Sequence, residues 1–177
     1  MAIYQFQTFI IPKQPVQNKF GHIPKQIEIK EDKWNEYWEN YDINIDNQPT
    51  FEDARTIKWW KNIDINLEML KQKISEILPL SDWSEYSWKT NGQFDHDFDI
   101  SLEDNYIKEI SFRTDLRDKN GFFLKKILLF CKKNNWILMD VNGNLCNPTM
   151  KEYQEIVGKS NANKFIKNPR KFIEKLK

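Results

Sequence analysis

The sequence predicts an α+β fold, in which a mainly antiparallel sheet is packed by helices and the C-terminus is helical. Two kinds of periodicity support this prediction. Near the N-terminus and again in the middle of the chain, apolar residues alternate with polar ones, as they do in half-buried strands. In several other segments apolar residues recur every three or four positions, which indicates amphipathic helices. Of the 177 residues, 40% are hydrophobic and 14% aromatic, so we expect one core and a single domain over residues 1–177.

The N-terminal segments are predicted to be extended. Ile3 to Ile11 alternates and is rich in β-branched and aromatic residues, which predicts a strand stopped by Pro12. His22 to Ile29 fits a second strand. Residues 12–21 would then form the loop that joins the two strands.

Three helical segments are predicted to follow. The stretch EDKWNEYWENY has aromatic residues at helical spacing, namely Trp34, Tyr37 or Trp38, and Tyr41. Thr50 with Asp53 resembles a cap that opens a short helix leading to the adjacent tryptophans at 59 and 60. Ile65 to Leu78 carries one apolar stripe and ends before Pro79, so it predicts a third helix.

The middle of the chain predicts a β-hairpin, preceded by an extended segment from Ser84 to Thr90. In the stretch QFDHDFDISLED, apolar residues fall on one face and aspartates on the other. A three-residue turn at 103–105 sets the following pairs opposite each other: Leu102 and Tyr106, Phe98 and Ile110, His96 and Phe112, Asp95 and Arg113, Asp97 and Ser111. This register brings apolar side chains together and sets one acid opposite a base.

The last third predicts helices around one buried strand. Residues 121–134 form a strongly amphipathic helix, and WILMDVNGNL reads as a buried strand that ends in a turn at Asn142-Gly143. Thr149 and Glu152 have the spacing of a capping box that opens another helix. The dipeptide at Asn168 and Pro169 splits the last helical segment in two.

The aspartates of the predicted hairpin are the first candidate site. Asp95, Asp97 and Asp99 share a strand face, and divalent cations such as Ca²⁺ and Mg²⁺ take oxygen ligands. Positions on one strand face are about 6–7 Å apart, however, and His96 points to the other face. The pattern therefore favours a solvent-exposed acidic face, partly neutralised by Arg113, over a metal centre. We expect neither a metal nor another cofactor.

The seven tryptophans are the second candidate. Tryptophan is hard to bury completely and is enriched at protein–protein hot spots. Trp59 and Trp60 are adjacent, so on a helix one of the two rings is expected to be exposed. Together with Trp88, which lies beside acids, they are predicted to contribute to a partner-binding surface that also contains Asp95, Asp97 and Asp99.

Catalytic chemistry finds little support in the sequence. His22 has no evident nucleophile or carboxylate partner, and His96, on an apolar face, fits a hydrogen-bonded core histidine. Cys131 and Cys146 lack CxxC spacing, and Cys131 reads as a small core residue. We therefore predict no catalytic residue and no enzymatic activity.

Charge is distributed unevenly along the chain and bears on its partners. Two lysines stand against nine acids from Glu28 to Asp53, and thirteen basic residues stand against four acids from Lys119 to Lys177. The acidic blocks would repel a nucleic-acid backbone, so nucleic-acid binding is not expected.

No apolar run reaches the ~18 residues of a membrane span. The N-terminus lacks the features of a signal peptide, and two cysteines make no disulfide framework, so the expected location is the cytoplasm.

Four segments carry a resemblance. MAIYQFQTFIIPK, EISFRTDLR, WILMDVNGNLCNPT and NKFIKNPRKFIEKL together resemble a group of small bacterial proteins that are similar to immunity proteins of polymorphic toxin systems, including contact-dependent growth inhibition. The resemblance covers most of the chain, but it consists of strand and helix patterns and transfers no catalytic residue. It implies a cytoplasmic protein that binds a cognate toxin domain and blocks its active site or substrate path. Many toxin domains of such systems are nucleases.

The resemblance thus implies an immunity protein that inhibits a toxin by non-covalent binding, and this is the predicted function. An acidic face, formed by the hairpin aspartates or by the acidic region from Glu31 to Asp53, would attract a basic toxin domain and speed association. Two alternatives remain open. One is a metal-dependent hydrolase or nuclease that uses Asp95 and Asp97, and the other is an accessory binding protein without an inhibitory role. The oligomeric state is also open.

Overall fold

Six antiparallel strands form a single sheet in the order β2-β3-β4-β1-β5-β6. The computed structural model describes residues 4–45, 48–104, 106–169 and 172. The strands are β1 (Gln5–Pro12), β2 (Ser87–Lys89), β3 (Asp97–Glu103), β4 (Tyr106–Asp115), β5 (Trp136–Asp140) and β6 (Leu145–Cys146). The two edge strands are only three and two residues long, which limits unwanted pairing with other chains. The predicted α+β class with a mainly antiparallel sheet is confirmed.

One face of the sheet forms the core. Cross-strand rows such as Phe98–Phe112–Thr8–Asp140 and Ile100–Ile110–Ile10–Leu138 bury every side chain that they contain. The helices are α1 (Lys13–Phe20), α2 (Glu31–Glu39), α3 (Leu67–Ser75), α4 (Phe122–Lys133), α5 (Met150–Lys159) and α6 (Asn161–Lys167). Helix α4 packs its buried stripe on this face, and the ring of Phe123 meets that of Phe112 edge-on. The expected helical C-terminus is present in α5 and α6.

Helix α5 is fastened to the centre of the sheet by Tyr153. Its hydroxyl lies 3.2 Å from Thr8 Oγ1 on β1 and 3.0 Å from Thr114 Oγ1 on β4, and its ring stacks on Phe112. All three hydroxyls are buried, so each depends on the others for hydrogen bonds. Burial also raises the pKa of the Tyr153 hydroxyl, which keeps it protonated. The predicted cap of α5 is confirmed, since Thr149 Oγ1 accepts from the amide of Glu152.

The opposite face of the sheet is covered only in part. At β1 and β5 it carries Phe9 and Met139, which line a small cavity together with Trp59 and Trp60. Residues 54–60 thus cover the apolar half of this face. The other half, formed by β2, β3 and the part of β4 that pairs with β3, carries polar and charged residues such as Asp99 and Ser111.

Three predictions for the first third of the chain are wrong. Residues 13–20, expected as a loop, form α1, because Pro15 sits in the first turn and Gly21 ends the helix in a left-handed conformation at φ 73°. His22 to Ile29 is no strand, since among the described residues it makes only one isolated bridge, Gln26 with Asn144. The helix expected after Thr50 is a series of turns, because the Asp53 carboxylate accepts from the amides of Arg55 and Thr56.

The hairpin register is shifted by two residues from the prediction. Asp97 pairs with Arg113 and Phe98 with Phe112, whereas near the turn Glu103 pairs with Tyr106. One residue of the shift arises because only two residues separate the strands. The second arises from a bulge at Ser101/Leu102, where β4 contributes an extra residue. From Asp97 to Ser101 the shift is even, so the side chains there keep their predicted faces, whereas nearer the turn it is one residue and Ile107 instead of Tyr106 lies opposite Leu102. The predicted helix restart after Asn168 lies mostly outside the described residues.

Replacing Gly143 in the Asn142-Gly143 turn should destabilise the fold more than replacing Gly92 does. Gly143 has φ 77°, its carbonyl accepts from the Ile27 amide at 2.9 Å, and a Cβ there would lie 2.1 Å from the Ile27 carbonyl oxygen. We expect Gly143→Ala to lower the free energy of unfolding by about 1–3 kcal/mol, measured by urea denaturation. Gly92→Ala is the control, because a Cβ there meets no atom within 4 Å. Equal effects of the two substitutions would contradict this role of the turn.

Candidate partner-binding surface

The three hairpin aspartates do not form the open acidic face that the sequence predicts. Asp97 is only 4% exposed, and Asp99 is half-buried. The expectation that Asp97 lies on the surface is wrong, because the cross-strand neighbours Lys89 and Arg113 flank it on the same face. A central strand shields side chains on both of its faces, and the alternation of residues gives no sign of this.

Each of these aspartates has a partner within the fold. Arg113 Nε donates to Asp97 Oδ1 at 3.0 Å, and Arg113 Nη2 lies 2.5 Å from Oδ2. Lys89 Nζ lies 3.1 Å from Asp95 Oδ1, and Ser87 Oγ donates to Asp99 Oδ1. The acids are therefore engaged with β2 and β4. Within the described ranges, no group of three or more His, Cys, Asp or Glu side chains could hold a metal ion.

The Asp97–Arg113 pair is electrostatically asymmetric. Burial raises the pKa of Asp97, and the hydrogen bond from Arg113 opposes that shift. Asp97 Oδ2 has no partner of good hydrogen-bond geometry among the described residues, although Arg113 Nη2 is close to it. The guanidinium is about one-third exposed and remains partly hydrated. The buried carboxylate thus depends on Arg113 more than Arg113 depends on the carboxylate.

His96 is a structural residue, as its position on the apolar face predicts. Its Nδ1 accepts from the Asp115 amide at 3.0 Å, and its Nε2 donates to Asp118 Oδ2 at 3.3 Å. The ring stacks on Phe123 and is 3% exposed. Burial lowers the pKa of His96 in spite of Asp118, so the neutral form with a proton on Nε2 is favoured. Both ring nitrogens hold the start of β3 to the end of β4.

The two cysteines lie in the core, as predicted for Cys131. Both thiols are free and buried. Burial raises the pKa of both thiols, that of Cys146 to about 12, which keeps them in the unreactive protonated form.

The three tryptophans predicted to bind a partner lie inside the fold. Trp59, Trp60 and Trp88 are 5%, 3% and 0% exposed, so the expectation that one ring of the adjacent pair is exposed is wrong. Trp60 Nε1 donates to the Ile10 carbonyl, and Trp88 Nε1 donates to Ser75 Oγ on α3. Residues 59 and 60 lie in a turn, and the divergence expected on a helix does not apply there. These rings stabilise the domain.

A different aromatic cluster is exposed, and it surrounds α2. Of the nine residues of this helix, all of which the structure describes, none is buried. Trp38 is 59% exposed, and its ring lies 5.4 Å from that of Tyr41 and 6.2 Å from that of Trp34. We call the following residues the α2 surface: Trp34, Tyr37, Trp38, Tyr41, Ile43, Ile45 and Phe51. The exposed members are Trp38, Tyr41, Ile43 and Ile45, and the half-buried ones are Trp34, Tyr37 and Phe51. Patches of exposed apolar side chains mark interaction sites.

The buried carboxylate of Asp53 holds α2 in place. Its Oδ2 accepts from Trp34 Nε1 at 2.6 Å and from the Lys30 amide at 3.2 Å, and its Oδ1 accepts from the amides that follow it in the chain. Phe51 meets the Trp34 ring edge-on at 5.1 Å. Arg55 Cζ lies 5.8 Å from the centre of the Trp34 ring. A single half-buried tryptophan therefore fixes the orientation of an otherwise exposed helix.

Acidic residues border the α2 surface. Helix α2 carries Glu31, Asp32, Glu36 and Glu39 but one lysine, Lys33, which pairs with Glu36 at 2.8 Å. Between the helix and residues 48–51 lies an open groove of about 360 Å³. Its lining residues are Lys33, Glu36, Tyr37, Asn40, Tyr41, Gln48, Thr50 and Phe51. The surface thus combines aromatic rings with negative charge and a concave site.

The sequence contains a signal for this surface. All the apolar residues of α2 are aromatic, whereas the buried stripe of α4 also contains leucine, isoleucine and cysteine. Aromatic spacing predicts the helix correctly, but helical spacing alone does not separate a core stripe from a binding stripe. The absence of aliphatic residues, within an acidic segment, is the distinguishing feature.

The fold and site define an α+β protein that presents an acidic, aromatic helix on its surface. No family model matches the chain, and neither a curated protein nor a solved structure gives a match. Throughout the described ranges, the helices fall short of the length and apolar character needed to cross a membrane.

The asymmetry of the Asp97–Arg113 pair can be measured. We expect Arg113→Ala to lower the free energy of unfolding by about 3 kcal/mol at pH 7, since it leaves a buried carboxylate without its partner. Asp97→Asn should cost less, because the guanidinium can turn toward water. Adding Asp97→Asn to Arg113→Ala should recover part of the loss in urea denaturation. A larger cost for Asp97→Asn than for Arg113→Ala would show that the pair is not limited by burial of the carboxylate.

Proposed function

We propose that this protein is an immunity protein, which binds the toxin domain of a polymorphic toxin system in the cytoplasm and neutralises it by non-covalent occlusion. The observation that carries the proposal is the α2 surface. It presents exposed aromatic rings on a helix with no buried residue, and acids surround them. The resemblance of the chain to immunity proteins supports the same function.

The composition of the α2 surface suits tight binding. Tryptophan and tyrosine are the residues most often found at interface hot spots, where large rings become buried and slow dissociation. The surrounding carboxylates would attract a basic partner and raise the association rate. Inhibition by occlusion needs no nucleophile, general base or metal. The hairpin aspartates are less suited to the role, because Lys89, Arg113 and Ser87 engage them.

The test uses the product of the reading frame next to this gene, which the proposal predicts to carry the toxin domain. Co-expression of this protein should restore growth to cells that produce the toxin domain, and the two purified proteins should bind. Trp38→Ala combined with Tyr41→Ala should raise the dissociation rate by about tenfold or more, because it removes two exposed rings from the interface. The association rate of the wild type should fall as salt is added.

Trp83→Ala is the matched control. Trp83 is 66% exposed and lies outside the α2 surface, so its replacement should leave both rates unchanged. If the wild-type protein neither binds the toxin domain nor rescues growth, the immunity function is refuted. If it binds and the α2 double variant dissociates at the wild-type rate, the interface lies elsewhere.

A further inference from the structure

The groove beside α2 has the chemistry of a site for a cation. Its walls include the rings of Tyr37, Tyr41 and Phe51. The Tyr37 and Tyr41 ring centres are 5.7 Å apart with their planes inclined by 56°, so two neighbouring rings line the groove. Cations bind over aromatic faces within about 6 Å of the ring centre. A groove with several rings can therefore surround the end of one long basic side chain.

Polar groups at the groove complement the rings. Glu36 supplies a carboxylate, and its pKa is held low by the ammonium group of Lys33, so it is ionised at neutral pH. Asn40 Nδ2 already donates to the Glu36 carbonyl at 2.7 Å, which leaves Asn40 Oδ1 to accept from a ligand. A carboxylate and an amide oxygen both accept hydrogen bonds, as a cationic donor requires.

The charge of the surroundings favours the same ligand. From Glu28 to Asp53 the chain carries nine acids and two lysines. Lys33 is the one basic side chain in the groove lining, and its contact with Glu36 is an exposed ion pair. Such pairs contribute little to stability, so an incoming cation can replace Lys33 at Glu36. The neighbouring ring of Trp34 already has a guanidinium beside it, that of Arg55, which shows that this aromatic cluster accommodates the group.

We propose that the α2 groove binds an arginine side chain presented by a partner protein. A guanidinium is planar and weakly hydrated, so it stacks on aromatic rings while donating to Glu36 and Asn40. This proposal deepens the proposed function, on which it rests for the identity of the partner. In the complex, the arginine would come from the basic surface of the toxin domain.

The test uses a small probe and the whole chain. N-acetyl-arginine amide is titrated into ¹⁵N-labelled protein, and amide and indole signals are followed by NMR. We expect saturable shifts confined to residues of α2 and 48–53, including the Trp34 indole. N-acetyl-citrulline amide has the same shape without the charge and should bind about tenfold more weakly or not at all.

Three variants locate the probe. Phe51→Leu keeps an apolar side chain but removes a ring, and Glu36→Gln removes the charge at an exposed position. Each should weaken binding of the arginine probe by about three- to tenfold. Trp83→Ala should have no effect. The proposal is overturned by equal affinity for arginine and citrulline, by shifts centred away from α2 and residues 48–53, by unchanged binding in both groove variants, or by no saturable shift at tens of millimolar probe.

The two proposals can fail separately. Binding of the arginine probe in the groove, together with no binding of the toxin domain, would support the cation site and refute the immunity function. Binding of the toxin domain at the wild-type strength by Glu36→Gln and Phe51→Leu, with no response to the probe, would support the immunity function and overturn the arginine site.

Discussion

The hydrogen bond between the buried carboxylate of Asp53 and the Trp34 indole is the contact on which the proposed interface depends. Helix α2 has no buried residue, so packing against a core does not position it. Asp53 receives the Trp34 and Lys30 donors on one oxygen and two amides of its own turn on the other. A buried carboxylate destabilises a fold unless its oxygens accept hydrogen bonds. The donors around Asp53 therefore fix the position of the Trp34 indole relative to this turn. It connects an exposed aromatic helix to the turns that cover the sheet.

The two candidate surfaces differ in how far their charged side chains are paired within the fold. On the hairpin, acids meet bases and a hydroxyl across neighbouring strands, so the charges stabilise the sheet. Around α2, acids outnumber bases and the rings between them remain accessible to solvent. A protein that binds a partner without catalysing a reaction needs accessible rings and an excess of acids, as found around α2. The buried cysteines and the hydrogen-bonded His96 belong to the interior of the fold.

Much of the fold could be predicted from local sequence. Periodicity identified β1, the β3–β4 hairpin, α2 to α5 and the strand before Gly143, since each pattern is set by which side chains face the core. The register could not be predicted, because it depends on a two-residue turn and a bulge that leave no periodic signal. The sequence also predicts wrongly that one ring of the Trp59–Trp60 pair and the side chain of Asp97 are exposed. Whether such residues are buried depends on distant segments of the chain that pack over them. For the α2 surface, the sequence predicts only an aromatic helix in an acidic region.

Hydrogen–deuterium exchange on the proposed complex with a toxin domain would show directly whether α2 is the interface. Binding is expected to slow amide exchange in α2 and at residues 48–53, because a partner would cover the helix and restrict its local opening. Exchange in β2 and in residues 95–99, where the hairpin aspartates and two of their partners lie, should stay the same. Protection confined to the β2–β3 edge, with α2 exchanging as it does in the free protein, would contradict the account.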